Sequence, residues 1–217
     1  MTGDERPAQR ETARVEAFSD GVFAIAITLL ILEIKVPPVD QDLGRALPHL
    51  WPSFLAFLAS FTTIGVMWLN HHRLFTLIER CDDGLIALNL LLLLGQTWIP
   101  FPTALLAEHL LGADARIAAI LYSASFFVIA IVFNLVWGYA VRSRLVVEHV
   151  NVSLITKQYA AGPLMYAALV ALAFLSAIGV LILSTLYAVY FALPPRLLAR
   201  ETPSPPTRPP SSGTHAV

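Results

Sequence analysis

The chain has 217 residues, of which 57% are apolar and only 13% are charged, with a mean hydropathy of +0.69. Soluble domains carry roughly a quarter charged residues; here the charges crowd into short segments between long uncharged runs, which excludes an ordinary soluble domain and points to an all-α integral membrane protein. The formal net charge of -1 offers no basic field for nucleic acid, and the single cysteine, Cys81, excludes an internal disulfide and a thiolate metal cluster.

A spanning helix needs about 20 mostly apolar residues. Uncharged or nearly uncharged runs of that size predict spans at 17–36, 50–69, 84–107 and 117–141. The first is too long and too interrupted by Asp20 and Glu33 for a cleaved signal peptide, and no small-residue cleavage site follows it. The uncharged stretch from 158 to 195 would make a helix of about 57 Å, nearly twice the hydrocarbon core. It is therefore expected to be two helices, near 160–176 and 180–194, broken at the small residues Ser176, Ala177 and Gly179. Six spans are expected in all.

Basic residues orient the spans. Arg6, Arg10 and Arg14, then Arg73 and Arg80, then Arg142, Arg144 and Lys157, and finally Arg196, Arg200 and Arg208 all fall on one side. Only Lys35, Arg45 and Arg116, of 14 in total, fall on the other. Both termini are therefore expected in the cytoplasm of a multi-pass cell-membrane protein. The expected organisation is a cytoplasmic N-terminal segment at 1–16, a transmembrane domain at 17–195 and a disordered Pro- and Ser-rich cytoplasmic tail at 196–217. Trp51, Trp98, Trp137, Tyr187 and Tyr190 lie near span ends, as interfacial anchors do.

Ionisable groups inside a span are costly and need partners. Asp20 lies about a turn inside the first span. Trp68, His71 and His72 close the second span at the same depth, and Asn89 sits about a turn into the third. A network of Arg14, Ser19, Asp20, His71 or His72 and Asn89, with Phe18 and Trp68 counted in it, would satisfy these groups mutually. Proton sensing and metal binding are the alternatives, since histidines and carboxylates serve both. Adjacent His71 and His72 point about 100° apart on a helix and are poorly placed to ligate one ion. Residues 62–66, TTIGV, look like the start of a carbonyl potassium filter. They lack its Tyr-Gly end and sit within an uninterrupted apolar run, so Gly65 is expected to serve close helix packing instead. No nucleophile stands beside a base, so no catalytic residue and no enzyme activity are expected, and no cofactor or metal site is assigned.

The segment RVEAFSD at 14–20 reads R-x-x-x-F-S-D and runs into GVFAIAITLLILEIKVP. With Trp68, His71, His72 and Phe75 after the second span, and Asn89 followed by leucines with Pro100 and Pro102 beyond, it resembles the transmembrane protein 175 family, the lysosomal potassium channel and its prokaryotic relatives. The resemblance is close over the first three spans and covers the rest by layout. It implies a homotetrameric cation channel selective for potassium, without a carbonyl filter, whose partners are potassium ions, the bilayer and its own copies. It implies also that the first helix lines the pore, with a constriction seven residues after Phe18. That position is Ile25, and Leu29 and Leu32 continue the same stripe, with Thr28 beside it. On a regular helix Asp20 lies about 140° from Ile25, facing neighbouring helices rather than the pore. A secondary transporter or a proton-conducting membrane protein is the rival reading.

Overall fold

The computed structural model describes residues 5–148 and 150–192, with side chains over 10–148 and 150–189. The described chain is helical: α1 Glu5–Leu29 continuing as a 3₁₀ turn Leu30–Glu33, α2 Leu43–His49, α3 Trp51–Phe75, α4 Asp83–Trp98, α5 Pro100–His109, α6 Ala115–Arg142, α7 Val152–Ala173 and α8 Ala177–Ala192. Four stretches are long and apolar enough to cross a bilayer: Arg10–Glu33, Trp51–Phe75, Asp83–His109 and Ala115–Arg142. The tail at 196–217 lies outside the described residues.

Local chemistry explains where these helices begin and end. Asp82 and Asn151 accept from the backbone N–H groups of Leu85 and Leu154, capping α4 and α7. The third expected span is two helices rather than one: the chain breaks at Ile99, because Pro100 has no N–H to continue the ladder and instead opens α5. The first expected span starts earlier than 17, since α1 runs back to Glu5 through the polar segment. The fifth also begins earlier than 160, at Val152, and continues through Pro163. That proline deprives the Tyr159 carbonyl of its helical donor. Asn134 of α6 supplies a substitute, its Nδ2 donating to the Tyr159 oxygen at 3.2 Å. The break before α8 covers 174–176, and Ser176 caps the new helix by accepting from the Gly179 N–H at 3.0 Å; Gly179 belongs to the first turn of α8 rather than to the break.

The core runs between α3, α4, α6 and the helices that flank them, with Phe23, Ile64, Leu74, Leu92, Tyr122, Phe126 and Trp137 buried. Trp137 is therefore no interfacial anchor. It is 1% exposed and donates from Nε1 to Thr156 Oγ1 of α7 at 2.9 Å. Trp51 and Trp98 are exposed at helix ends as expected. Ser60, Thr103 and Tyr122 form a buried hydroxyl cluster joining α3, α5 and α6, the polar adhesive that membrane helices use where water offers no hydrophobic drive. Gly65 departs from the expectation of close packing, for a Cβ added there would meet no atom within 4 Å. At the other end of α3, the Glu79 N–H donates to the Leu145 carbonyl and the Val147 N–H to the Leu77 carbonyl, lashing the α3–α4 loop to the α6–α7 loop.

Candidate functional site

The first helix has two unlike faces. Ser19, Phe23, Ala26 and Leu30 are buried against the bundle. The other face carries Phe18, Ile25, Leu29 and Leu32, which are 57%, 59%, 40% and 66% exposed, with Thr28 exposed beside them. These residues recur at the spacing of one helical stripe, and the described residues leave them exposed. Thr28 keeps its hydroxyl on its own backbone, donating to the Ile25 carbonyl at 2.9 Å. Gly21 and Ala24 lie on this open side too. Phe18 was expected in the polar network, but it stands seven residues before Ile25 and so falls on the open stripe. Arg14, one turn before Phe18, falls there as well. It is exposed, and among the described residues it makes no hydrogen bond or ion pair.

On the closed side, the remaining polar residues sort into a buried triad and an exposed ladder. In the triad, Ser19 donates to the Val15 carbonyl at 2.8 Å, Asn89 Nδ2 donates to Ser19 Oγ at 2.9 Å, and Asn89 Oδ1 lies 2.9 Å from His71 Nε2. Because the Asn89 carbonyl can only accept, Nε2 must carry the hydrogen, which fixes the neutral His71 tautomer and leaves Nδ1 as a bare buried acceptor. The His71 ring stacks on Phe75 at 4.5 Å and tilts against Phe23 at 5.3 Å.

In the ladder, Trp68 Nε1 donates to Asp20 Oδ1 at 2.8 Å, and His72 Nδ1 meets Glu16 Oε1 at 2.8 Å. Asp20 thus pairs with an indole rather than with a histidine. Glu16 was not anticipated at all. Its signal was available: Glu16 and Asp20 are four apart on α1, Trp68 and His72 are four apart on α3, and on antiparallel neighbours such pairs meet as rungs. His71 and His72 point to different sides, one into the triad and one onto the ladder. Among the described residues no group of three His, Cys, Asp or Glu side chains is gathered as a metal would require. Outside the spans, Cys81 is half-buried beside Thr12 and Asp82, and burial pushes its thiol above the usual range, with the Thr12 hydrogen bond opposing the shift.

A helical bundle with four stretches long and apolar enough to cross a bilayer and an exposed apolar stripe on its first helix defines a multi-pass membrane protein. Residues 14–100, which carry the open stripe, the triad and the ladder, match the family described as "Endosomal/lysosomal potassium channel TMEM175". A potassium channel of Chamaesiphon minutus is 51% identical over 200 residues, covering 87% of this chain and 97% of that protein. The crystal structure of a lysosomal potassium-selective channel TMEM175 homolog from the same organism superposes with a TM-score of 0.76 at 50% identity, over 85% of this chain and 97% of the other. The endosomal/lysosomal proton channel TMEM175 of Gallus gallus is 38% identical over 117 residues, which is 49% of this chain and 23% of that protein. The chain belongs to the TMEM175 family.

Proposed function

We propose that this chain is the subunit of a homotetrameric potassium channel of the cell membrane, with six spans per subunit formed by α1, α3, α4 with α5, α6, α7 and α8, and with both termini cytoplasmic. Four copies of α1 surround the axis. Ile25 forms the narrowest ring, Leu29 and Leu32 continue it, and the Thr28 hydroxyl lies beside it. The observation that supports this most is the open stripe. An apolar face that its own bundle leaves uncovered, and that carries Gly21 and Ala24 among the larger side chains, suits close approach by a second helix. The potassium channel named among the relatives supports the ion.

Selection in such a pore rests on an apolar constriction and not on a carbonyl filter. Residues 62–66 lie inside α3, with the Thr63 hydroxyl returned to the Ala59 carbonyl, so their carbonyls are spent on the helix. A narrow apolar ring holds water poorly, and an ion crossing it sheds part of its shell. Potassium, with the looser shell, is penalised less than sodium. The test is reversal potential in planar bilayers under bi-ionic potassium and sodium. Ile25→Asn is expected to raise conductance and shift reversal toward sodium permeation, and an unchanged reversal potential would remove Ile25 from the constriction. The proton channel of Gallus gallus favours a second reading, proton conduction through the same path; a reversal potential that follows an imposed pH gradient in symmetric potassium would support it.

A further inference from the structure

Away from the open stripe of α1, a half-open cavity of about 220 Å³ lies between α3, α4, α6 and α7. It exists because α7 contributes little bulk where it faces α3. Gly162 lines the cavity, and a Cβ added there would meet no atom within 4 Å. The volume far exceeds the roughly 10–15 Å³ one water requires and falls just short of the roughly 300 Å³ at which drug-sized pockets begin, which suits a small organic molecule.

Its walls are mostly apolar, with Phe23, Phe133, Met165 and Tyr166 among them. Five polar side chains, Asn70, Arg73, Gln96, Asn134 and Gln158, break that lining, and Gln96 and Arg73 are the ones that offer a buried acceptor and a cation. Gln96 is 1% exposed; its Nε2 donates only to the weak acceptor Met67 Sδ at 3.3 Å, and its Oε1 has no donor. Arg73 is half-buried at the C-terminal end of α3 and makes no ion pair or hydrogen bond among the described residues. Asn134 differs from both, since its Nδ2 is spent on the Ala130 and Tyr159 carbonyls. A cation at one end and a buried lone acceptor at the other ask for an anion and a donor. Met67, which holds the Gln96 amide, and Arg73 are six residues apart on α3, a separation of about 9 Å along the axis.

We propose that this cavity binds a small amphipathic organic anion, with a carboxylate on Arg73, an apolar ring or chain between the aromatic walls, and a hydroxyl or N–H at its far end donating to Gln96 Oε1. A para-hydroxyphenyl propionate has these three features.

The experiment is equilibrium binding of 3-(4-hydroxyphenyl)propionate and of 3-phenylpropionate, which lacks the hydroxyl, to the purified full-length protein in mild detergent. Saturable binding of both is expected, with the phenol about tenfold tighter. Gln96→Leu should erase the difference between the probes while keeping the weaker affinity. Arg73→Gln should weaken both at least tenfold, and Gly162→Leu, whose Cβ would meet no atom within 4 Å and whose branch would occupy the space, should abolish both while leaving the melting temperature of the ligand-free protein unchanged. Should Gln96→Leu or Arg73→Gln fail to fold, Gly162→Leu and the two-probe comparison still decide. Absence of saturable binding to the unmodified protein, equal affinity for the two probes, or binding that survives Gly162→Leu would each overturn the proposal. None of these readouts depends on ion flux, so failure here is distinct from failure of the channel reading.

Discussion

Replacing Asn89 by leucine isolates the contribution of the buried triad. The side chains are similar in size, so the change removes polarity with little change of volume. His71 Nε2–H then loses its acceptor, and Ser19 Oγ loses its donor, while both residues are 0% exposed. Ser19 keeps its own donation to Val15, so its loss resembles that of one ordinary hydrogen bond, about 1 kcal/mol. The imidazole N–H is left as an uncompensated buried donor, which costs about 1–3 kcal/mol. The sum is about 3 kcal/mol, or a fall in melting temperature of about 10 °C for a chain of this size. Fluorescence-detected thermal melting in mild detergent reads it directly. Adding His71→Phe to Asn89→Leu should restore part of the loss, since removing both members of a buried pair costs less than orphaning one. A single substitution that melts within about 2 °C of the unmodified protein, or a double that melts well below the single, would refute the reasoning.

Three further outcomes follow from the same geometry. Ile27→Asn, about 160° around α1 from the Leu29 side of Ile25 and packed against the core, should lower folded yield and leave the potassium–sodium reversal potential unchanged; size-exclusion profiles and bilayer recordings read the two. Gly95→Ala should destabilise the α4–α6 contact by about 1–3 kcal/mol, because the new Cβ would sit 2.7 Å from Ile129 Cγ1, and pairing it with Ile129→Ala should recover part of the melting temperature. Cys81 should react slowly with iodoacetamide near neutral pH and accelerate only in a more alkaline range than a free thiol does, since burial raises its pKa. Because the folded pKa lies above the unfolded one, Cys81 contributes stability that is lost as pH rises through the interval between them; urea titrations at neutral and alkaline pH, with Cys81→Ser as the control, measure that loss.

Much of this architecture was legible in the amino-acid order because membrane spans are written in composition. Uncharged runs located α4 with α5, and α6 to within about two residues and the start of α3 to within one, while α3 runs on to Phe75, six residues past the expected end, through the polar Asn70, His71, His72 and Arg73. Periodicity could say little about α1, since a span apolar nearly all round gives it no face to choose; the stripe through Ile25 came from resemblance to the family, and exposure then fell on that side. The depth of Asp20, His71, His72 and Asn89 was readable, whereas their partners were not. One residue of register on a helix turns a side chain by about 100°, enough to send His71 into the core and His72 onto Glu16. The early start of α7 was hidden because Lys157 ends the uncharged run although lysine is at home in a helix, and the amide of Asn134 that makes Pro163 tolerable lies on another element. The cavity was invisible for a related reason: an empty space is a property of four helices together and has no local signature.

The ladder between α1 and α3 has a mechanical consequence. Its two rungs are nearly alike, a carboxylate facing an aromatic N–H or imidazole, and they are spaced one turn apart. Sliding α1 by a single turn, about 5.4 Å, would set Asp20 opposite His72 and preserve one rung of two. The ladder alone is thus a ratchet with two resting positions. Asn89 removes that freedom, because it projects from a third helix and can reach Ser19 and His71 together at only one height. The first helix is therefore pinned against axial translation. If the proposed tetramer changes the width of its passage, leaning α1 about this pin, as the blades of an iris move, disturbs the triad less than sliding it as a piston.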